Sequence, residues 1–318
     1  MPAPLYFDCD TGIDDSLALG YLVESPEIEV VGIGSVSGNT DAARAARNTL
    51  DVLALAGISG VPVAVGAHDP LRGSYAGGAP HVHGDNGIGG IVLPTSPETP
   101  VDGSAAELLV RLAREHAGEL RVLAVGPFTN LALALDLEPR LPELVADVVV
   151  MGGAALAPGN ISAVAEANVA NDPEAARVVL EAPWPVTLVP LDVTMVNLLE
   201  ESDRRVLLAA ERPLPQALGA ILDLYFDFYR PIFGRRCSAL HDPLAAAIVT
   251  GGVRATLAPV VRVGVDDSDG PGRGQTICDL RGSYAGYPEQ RGAHCSVVLD
   301  TDVPLTPHLM ERLLGGPA

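Results

Sequence analysis

Residues 5–15, Leu-Tyr-Phe-Asp-Cys-Asp-Thr-Gly-Ile-Asp-Asp, contain the transition that decides the fold. The apolar run at its start is typical of a buried strand, and the glycine that follows marks a turn. An Ala- and Leu-rich stretch then predicts a helix over 14–24. A strand that passes through a tight turn into a helix is the first half of a βαβ unit.

The same alternation of Val-, Leu- and Ile-rich runs with helical patterns continues to about residue 190. Strands are predicted at 5–9, 29–36, 62–66, 120–126, 146–151 and 186–190, and helices at 14–24, 40–56, 104–117, 129–137 and 172–181. Strands this uniformly apolar belong in a parallel sheet that is covered on both faces. The sequence therefore predicts an α/β fold with an open, mainly parallel twisted sheet, helices on both faces and a Rossmann-like core.

The remaining third of the chain predicts a C-terminal helical and β extension of this core. Helices are expected at 200–210, at 214–233 and from Asp242 onward, and β-like segments at 258–265, 276–280 and 294–299. Because no linker-like segment separates the two parts, we expect a single domain over 1–318.

Composition excludes several classes of protein. Of 318 residues 48% are hydrophobic, the mean hydropathy is +0.28, and 20 basic against 40 acidic residues give a net charge of −20. Such a chain folds around a large core and does not favour nucleic acid or an anionic membrane as a partner. No run approaches the roughly 18 apolar residues of a membrane span, and the N-terminus does not resemble a secretory signal, so we expect a cytoplasmic protein.

Two residue types narrow the chemistry further. The four cysteines are scattered without a CxxC pair, which predicts free thiols rather than zinc or a disulfide framework. All 20 basic residues are arginines, so no mechanism can use a lysine nucleophile or Schiff base.

The opening segment concentrates negative charge. Asp8, Asp10, Asp14 and Asp15 lie within eight residues, and no basic residue accompanies them. Four carboxylates this close repel one another unless a cation lies among them, and Ca²⁺ or Mg²⁺ prefers such oxygen ligands. The alternative is helix capping, which accounts for Asp14 as an N-cap and Asp15 as a first-turn residue.

Parallel sheets bind ligands beyond the carboxyl ends of their strands, and polar residues follow several predicted strands. Besides the acidic cluster, these strand ends carry Gly38-Asn39, His68-Asp69, Val125-Gly126 and Met151-Gly152-Gly153. The Gly-rich segment 71–90 is too long for a plain connection, so we expect a mobile loop at the active site.

Three further groups are candidates, two of them with a structural alternative. His241-Asp242-Pro243 precedes a helix, where Asp242 could be an N-cap and Pro243 the first helical residue. Asn160, Glu166 and Asn168 lie in a predicted loop, where binding groups are common. Tyr225, Tyr229 and Phe233 form an i, i+4, i+8 stripe that either packs in the core or forms the wall of a pocket for a flat ring. Asp172-Pro173, in contrast, is interpreted as a helix cap.

Together these residues resemble the inosine-uridine preferring nucleoside hydrolases. Asp8-Cys9-Asp10-Thr11-Gly12-Ile13-Asp14-Asp15 is similar to the DxDxGxDD signature of that family, and the resemblance covers nearly the whole chain. The supporting blocks follow in order: Gly38-Asn39, His83-Gly84, Gly126-Pro127-Phe128-Thr129-Asn130, Met151-Gly152-Gly153, Gly159-Asn160, Glu166-Ala167-Asn168 and His241-Asp242-Pro243.

The resemblance implies Ca²⁺-dependent cleavage of the N-glycosidic bond of ribonucleosides, through an oxocarbenium-like transition state. It places Ca²⁺ on Asp10, Asp15, Asp242 and the carbonyl of Val125, with a Ca²⁺-bound water as nucleophile and Asp10 as general base. The implied ribose contacts are Asp14, Asn39, Asn168 and Asp242 at the 2′ and 3′ hydroxyls, and Asn160 and Glu166 at the 5′ hydroxyl. His241 matches a leaving-group histidine, His83 lies beside the base, and family members are usually homodimers or homotetramers.

Base preference and two alternatives remain open at this point. Ala167 stands where the family more often has an aromatic residue, whereas Tyr229 resembles relatives of broad specificity, so we expect broad or purine-tolerant activity. Phe7-Asp8-Cys9-Asp10-Thr11 also fits the opening of haloacid-dehalogenase-like phosphatases, in which Asp8 would be the nucleophile. Those enzymes usually need a lysine against the phosphate, and this chain has no lysine. The second alternative is a non-catalytic protein that binds nucleosides or ribose.

Overall fold

The computed structural model describes residues 2–315, which surround an eight-stranded central sheet. In spatial order its strands are β10 (Val260–Val261), β13 (Cys295–Val297), β6 (Val186–Val189), β5 (Val145–Met151), β4 (Leu120–Ala124), β1 (Ala3–Cys9), β2 (Ile28–Ser35) and β3 (Val63–Val65). All neighbours are parallel except β10 and β13, which are antiparallel. The prediction of an open, mainly parallel sheet is confirmed.

Helices cover both faces of this sheet. The longer helices are α1 (Ile13–Val23), α2 (Ala42–Leu55), α4 (Ala105–Glu115), α5 (Thr129–Leu137), α8 (Pro173–Glu181), α10 (Glu201–Leu208), α11 (Pro213–Phe233), α12 (His241–Thr250) and α13 (Leu305–Gly315). The helices of one or two turns are α3 (Pro80–His83), α6 (Leu141–Leu144), α7 (Ala167–Asn171) and α9 (Leu191–Thr194), and a 3₁₀ helix spans Leu280–Ala285.

Side-chain alternation along the strands divides the core in two. In β1, Leu5 and Phe7 belong to the cluster that packs against α1, α11 and α12, whereas Tyr6 belongs to the cluster under α4, α5 and α8. Successive side chains of a strand point to opposite faces, so a strand buried on both sides must be apolar throughout. This explains why the strand predictions, made from apolar runs, lie within two residues of the observed ends.

The C-terminal part differs in detail from the predicted extension. Segment 294–299 contains β13, which joins the central sheet beside β6. Segment 258–265 splits into β10, which also joins it, and β11 (Val263–Val265), which pairs with β12 (Thr276–Cys278). Two other short pairs were not predicted, β7 (Leu198–Glu200) with β8 (Cys237–Ala239) and β9 (Ala255–Leu257) with β14 (Asp300–Thr301). Strands of two or three residues carry too little pattern to be recognised in a sequence.

Three further expectations concern the cysteines, membrane-spanning helices and the Gly-rich segment. All four cysteines are unpaired, as predicted. Across residues 2–315 no helix is both long and apolar enough to cross a membrane. The Gly-rich segment 71–90 is loop apart from α3, and its mobility stays a prediction.

Candidate active site

A cavity of about 350 Å³ opens at the carboxyl edge of the central sheet, between the strand ends and the helices α11 and α12. Every residue predicted to contact substrate contributes to its lining: Asp14, Asn39, His83, Asn160, Glu166, Asn168, Tyr229, His241 and Asp242, together with Val125. Asp10 and Asp15 do not line the cavity, and both are buried. The volume is within the usual range of small-molecule sites.

Buried carboxylates gather at the inner end of this cavity. Asp14, Asp15 and Asp242 each offer an oxygen within 4.8 Å of the others, as ligands of a single metal ion would. Burial, followed by repulsion from the neighbouring carboxylates, raises the pKa of Asp242 well above its ordinary value and that of Asp14 to about 7. The carboxylates can ionise together only if positive charge joins them.

Asp10 lies beside this cluster with one oxygen occupied and one free. Its Oδ2 accepts a 2.6 Å hydrogen bond from the backbone N–H of Asn39. Its Oδ1 is buried and has no hydrogen-bond partner in the described part of the chain, and the same is true of Asp14 Oδ1. Buried carboxylate oxygens without partners are costly, so these two atoms indicate where a cation or a substrate hydroxyl belongs.

Asp15 holds the turn that carries the other acids. Its oxygens accept the backbone N–H groups of Asp10 at 3.1 Å and Gly12 at 2.8 Å, and the side-chain amide of Asn39 at 3.1 Å. Gly12 is the N-cap of α1 and Asp15 lies in its first turn, so the interpretation of Asp14 as the N-cap is wrong. Asp15 does cap the helix, which is compatible with metal binding through a remaining lone pair.

Asp8, the fourth carboxylate of the opening segment, is separate from the cavity. The Tyr6 hydroxyl donates to Asp8 Oδ2 at 2.8 Å, and the Asn130 amide donates to both Asp8 oxygens at 3.1 and 3.2 Å. These hydrogen bonds connect β1 to the first turn of α5 and occupy the Asp8 carboxylate. The structure gives no support to a role of Asp8 as a phosphatase nucleophile.

The segment after β5 brings three predicted side chains to the cavity, and two of them, Glu166 and Asn168, are buried. Glu166 is the N-cap of α7, where it accepts backbone N–H groups from Asn168 at 2.9 Å, Val169 at 3.2 Å and Gly153 at 2.9 Å. Burial nevertheless raises the pKa of Glu166 to about 7. Asn168 donates its amide to the carbonyls of Val125 at 2.7 Å and Met151 at 3.1 Å, so its own oxygen is left to accept.

Asp192 organises the start of the same loop. Its carboxylate, on α9, accepts the backbone N–H groups of Ala155 at 2.8 Å, Leu156 at 2.7 Å and Ala157 at 3.0 Å. This contact fixes the chain shortly before Asn160, an exposed residue at the rim of the cavity. The sequence analysis missed Asp192, whose place in a short helix gave no signal.

His241 and Asp242 are the first two residues of α12. The N-cap is Leu240, and it makes no side-chain cap, so the interpretation of Asp242 as the N-cap is wrong. The His241 ring shares hydrogen bonds with the Tyr229 hydroxyl at Nε2 (2.6 Å) and with the Thr194 hydroxyl at Nδ1 (2.7 Å). Burial lowers its pKa to about 4. The Asp172 interpretation, in contrast, is confirmed, because its carboxylate accepts the N–H of Ala175 at 3.0 Å.

The outer part of the cavity is aromatic and apolar. Tyr225 and Tyr229 both line it, with their rings edge to face at 5.0 Å, whereas Phe226 packs in the core. Phe233 is the third member of the predicted stripe. Its ring packs against that of Tyr229, with centroids 5.5 Å apart, but it does not line the cavity. The sequence analysis did not single out seven residues of this lining: Ala79, His81, Val82, Ile161, Met195, Phe228 and Ile232. Phe228 lies on α11 beside Tyr229, and Ala79, His81 and Val82 lie in the Gly-rich segment 71–90 that was expected at the active site.

His83 connects the Gly-rich loop to the acidic turn. Its Nδ1 accepts the backbone N–H of Ile13 at 3.1 Å, so a neutral ring carries its proton on Nε2. Burial lowers the pKa of His83 to about 3. The ring also packs against Tyr225, with centroids 5.5 Å apart.

The chain is similar to known nucleosidases and nucleoside hydrolases. The family model described as inosine-uridine preferring nucleoside hydrolase matches residues 5–306. The inosine-uridine preferring nucleoside hydrolase of Leishmania major is 37% identical over 95% of this chain and 94% of its own length, and the probable uridine nucleosidase 1 of Oryza sativa subsp. japonica is 34% identical over 98% and 97%. The purine-preferring ribonucleoside hydrolase from Gardnerella vaginalis superposes with a TM-score of 0.89 at 31% identity, over 98% of both chains. The chain therefore belongs to the inosine-uridine preferring nucleoside hydrolase family, and it is an enzyme that hydrolyses ribonucleosides to a free base and ribose.

Proposed function

We propose that the enzyme binds Ca²⁺ through Asp10, Asp15, Asp242 and the Val125 carbonyl, and that Asp10 is the general base of the reaction. The observation that carries this proposal is the pair of buried, unpartnered oxygens on Asp10 and Asp14 beside the carboxylate cluster. A hard ion that accepts many oxygen ligands fits this donor set, and when bound it would polarise a water and two ribose hydroxyls.

Asp10 has the geometry of a base that receives a proton at one atom. The Asn39 N–H fixes Oδ2, so the carboxylate cannot rotate freely and Oδ1 is the oxygen left to accept the proton of the attacking water. A base held in this way loses little entropy in the transition state.

The ribose contacts follow from the acceptors that remain at the inner end of the cavity. In this proposal Asp14, Asn39, Asn168 and Asp242 accept from or donate to the 2′ and 3′ hydroxyls, and Asn160 and Glu166 contact the 5′ hydroxyl. Cleavage of the N-glycosidic bond builds positive charge on the ribose, so carboxylates and amide oxygens around the ring favour the transition state over the ground state.

The leaving base meets the histidines at the outer end. We assign proton donation to His241, whose Nε2 bonds to the cavity-lining Tyr229, and contact with the base to His83 and Tyr229. Burial lowers the pKa of His241 to about 4, so the ring becomes a donor as negative charge develops on the leaving base and favours its protonated form. The aromatic and apolar outer wall contains few fixed polar groups that would reject a base, which supports broad or purine-tolerant activity.

Three further properties belong to the same proposal. Residues 1–318 act as a single catalytic domain, which a model match over residues 5–306 supports. Four unpaired cysteines favour a reducing compartment, the cytoplasm. The active form is a homodimer or homotetramer. Analytical ultracentrifugation should then give a mass of about two or four times the 32.8 kDa of one chain.

The experiment measures ribose release from inosine, adenosine, uridine and cytidine, each with and without a Ca²⁺ chelator. Turnover that disappears with chelator and returns with Ca²⁺ alone supports the metal assignment, and the four rates rank the bases. Asp10→Asn should lose most turnover while its melting temperature stays close to that of the wild type, whereas Asp136→Asn, an exposed residue on α5, should behave as the wild type. Undiminished kcat in Asp10→Asn would contradict its role as base.

A further inference from the structure

His241 is held from two sides by hydroxyl groups that come from different elements. Tyr229, on α11, bonds to Nε2 at 2.6 Å, and Thr194, the last residue of α9, bonds to Nδ1 at 2.7 Å. Both ring nitrogens are therefore occupied. A half-turn of the ring about its Cβ–Cγ bond would put ring carbons in place of both nitrogens and would break both hydrogen bonds.

Thr194 is placed to act on the ring and on nothing in the cavity. Its side chain is fully buried and does not line the cavity, although the next residue, Met195, does. Among residues 2–315 the Thr194 hydroxyl has no hydrogen-bond partner other than His241. Threonine is β-branched and stiff at χ1, so its hydroxyl has a defined direction once the backbone is fixed.

The backbone that carries Thr194 is itself fixed. The Leu191 N–H donates to the Gly153 carbonyl at 3.0 Å, and Asp192 accepts three backbone N–H groups from residues 155–157. α9 therefore connects the loop after β5 to the histidine on α12. A hydroxyl on this short helix has a reproducible position relative to the cavity.

We propose that Thr194 is a positioning residue for the leaving group: it holds the His241 ring so that Nε2, and not the ring carbon Cε1, faces Tyr229 and the substrate base. This inference rests on the proposed role of His241 as proton donor to the base. Thr194 contacts neither substrate nor metal, and its effect passes through His241. Without its hydroxyl, the ring is free to turn and Nδ1 is left buried without a partner.

The test uses two variants and two substrates. Thr194→Val removes the hydroxyl and keeps the shape, and Thr194→Ser keeps the hydroxyl and loses a methyl group. Inosine requires stabilisation of its leaving base, whereas p-nitrophenyl riboside has an activated leaving group. We expect Thr194→Val to lose at least about tenfold in kcat on inosine and less than about twofold on p-nitrophenyl riboside, and Thr194→Ser to retain wild-type selectivity between the two.

A purely structural role predicts a different pattern. If Thr194 only supported the fold, Thr194→Val would lose equally on both substrates and Thr194→Ser would not restore the inosine rate; either equal losses or wild-type rates on both substrates would overturn the inference. Thr194→Ala serves as the second hydroxyl-free variant if the valine variant does not fold. The ratio of the two substrates' kcat values within one preparation does not depend on the amount of folded enzyme.

A double-mutant cycle separates this inference from the proposed function. His241→Ala should lose activity selectively on inosine, and Thr194→Val should add no further loss in that background. If His241→Ala is selective but Thr194→Val is not, only the role of Thr194 is wrong. If His241→Ala loses equally on both substrates, the leaving-group role of His241 fails, and the positioning role fails with it.

Discussion

The hydroxyl of Tyr225, on α11, donates a 3.0 Å hydrogen bond to Oδ2 of Asp14, in the first turn of α1. Both side chains are buried, and Asp14 Oδ1 has no partner in the described residues. This single contact joins the aromatic wall of the cavity to its carboxylate end. It fixes the Asp14 carboxylate, so that its free oxygen has one orientation.

Removal of this hydroxyl should impair catalysis without unfolding the enzyme. Tyr225→Phe keeps the ring and its packing, but Asp14 loses a hydrogen bond to a charged acceptor, which is worth about 1.5–3 kcal/mol. We expect kcat/KM for inosine to fall roughly ten- to hundredfold, measured by steady-state ribose release. Tyr284→Phe is the matched control because Tyr284 is 98% exposed, and it should be silent. A wild-type kcat/KM in Tyr225→Phe would contradict the importance of this contact.

Metal binding should stabilise the protein more at high pH than at low pH. Burial, then repulsion from Asp15, raises the pKa of Asp14 from 3.8 to about 7, and the pKa values of Asp10 and Asp242 are also raised. Between about pH 4 and 7 the metal-free folded state thus binds more protons than the unfolded state, and its free energy of unfolding falls as pH rises. Ca²⁺ binds the ionised carboxylates and offsets this loss.

Calorimetry with chelator and with added Ca²⁺ checks this expectation. The gain in Tm on addition of Ca²⁺ should grow steadily between about pH 5 and pH 8. A gain that is equal at all pH values, or absent, would show that the ion does not bind at the buried carboxylates.

Gly12 should not tolerate a side chain. Its φ of −94° is open to any residue, so the restriction is one of space. A Cβ atom there would lie 2.5 Å from Nδ1 of His83 and 2.7 Å from the side-chain nitrogen of Asn39. Gly12→Ala should therefore displace two residues of the cavity, with a loss of about 1–3 kcal/mol in the free energy of unfolding and a clear loss of activity.

Gly264→Ala is the control for this substitution. Gly264 is in β11, and a Cβ atom there would meet nothing within 4 Å. Thermal melts and ribose release should be nearly unchanged in this variant, and the pair of variants isolates the effect of the close approach at Gly12. Wild-type activity in Gly12→Ala would mean that His83 and Asn39 can move without consequence.

Asp192 should affect substrate affinity through the loop that it holds. In Asp192→Asn one oxygen becomes an NH₂ group that faces backbone donors, so at least one of the three N–H groups loses its acceptor. We expect KM for inosine to rise roughly tenfold with a smaller change in kcat, because the loop carries Asn160 at the rim. Asp102→Asn, an exposed residue before α4, serves as control. An unchanged KM would show that the loop held by Asp192 does not contribute to substrate affinity.

The sequence predicted the sheet and most of the cavity because both depend on local signals. The apolar runs predicted the positions of β1 to β6. The ends of these strands predicted that Asp10, Asn39, Val125 and Met151 lie at one edge of the sheet. Asp8 was grouped with the other acids because the sequence does not show that Asn130, 122 residues later, meets it. Thr194 and Asp192 were missed for the same reason, since their partners are distant in sequence and their own segment, a one-turn helix, has no periodicity.

The position of His241 and Asp242 at the start of α12 has a geometric consequence. Consecutive residues of a helix point about 100° apart around its axis, so one helix turn aims one side chain at the leaving base and the other at the carboxylate cluster. In the proposed roles, His241 contacts the leaving base and Asp242 contacts the ribose and the metal. Because both residues belong to the first turn of α12, the distance between them stays the same when a larger base enters. Bases of different size must be accommodated by lining residues that hold neither side chain, such as Phe228 and Ile232 on α11 and Ile161 in the loop after β5. Substrate range can thus be altered there without disturbing the distance on which bond cleavage depends.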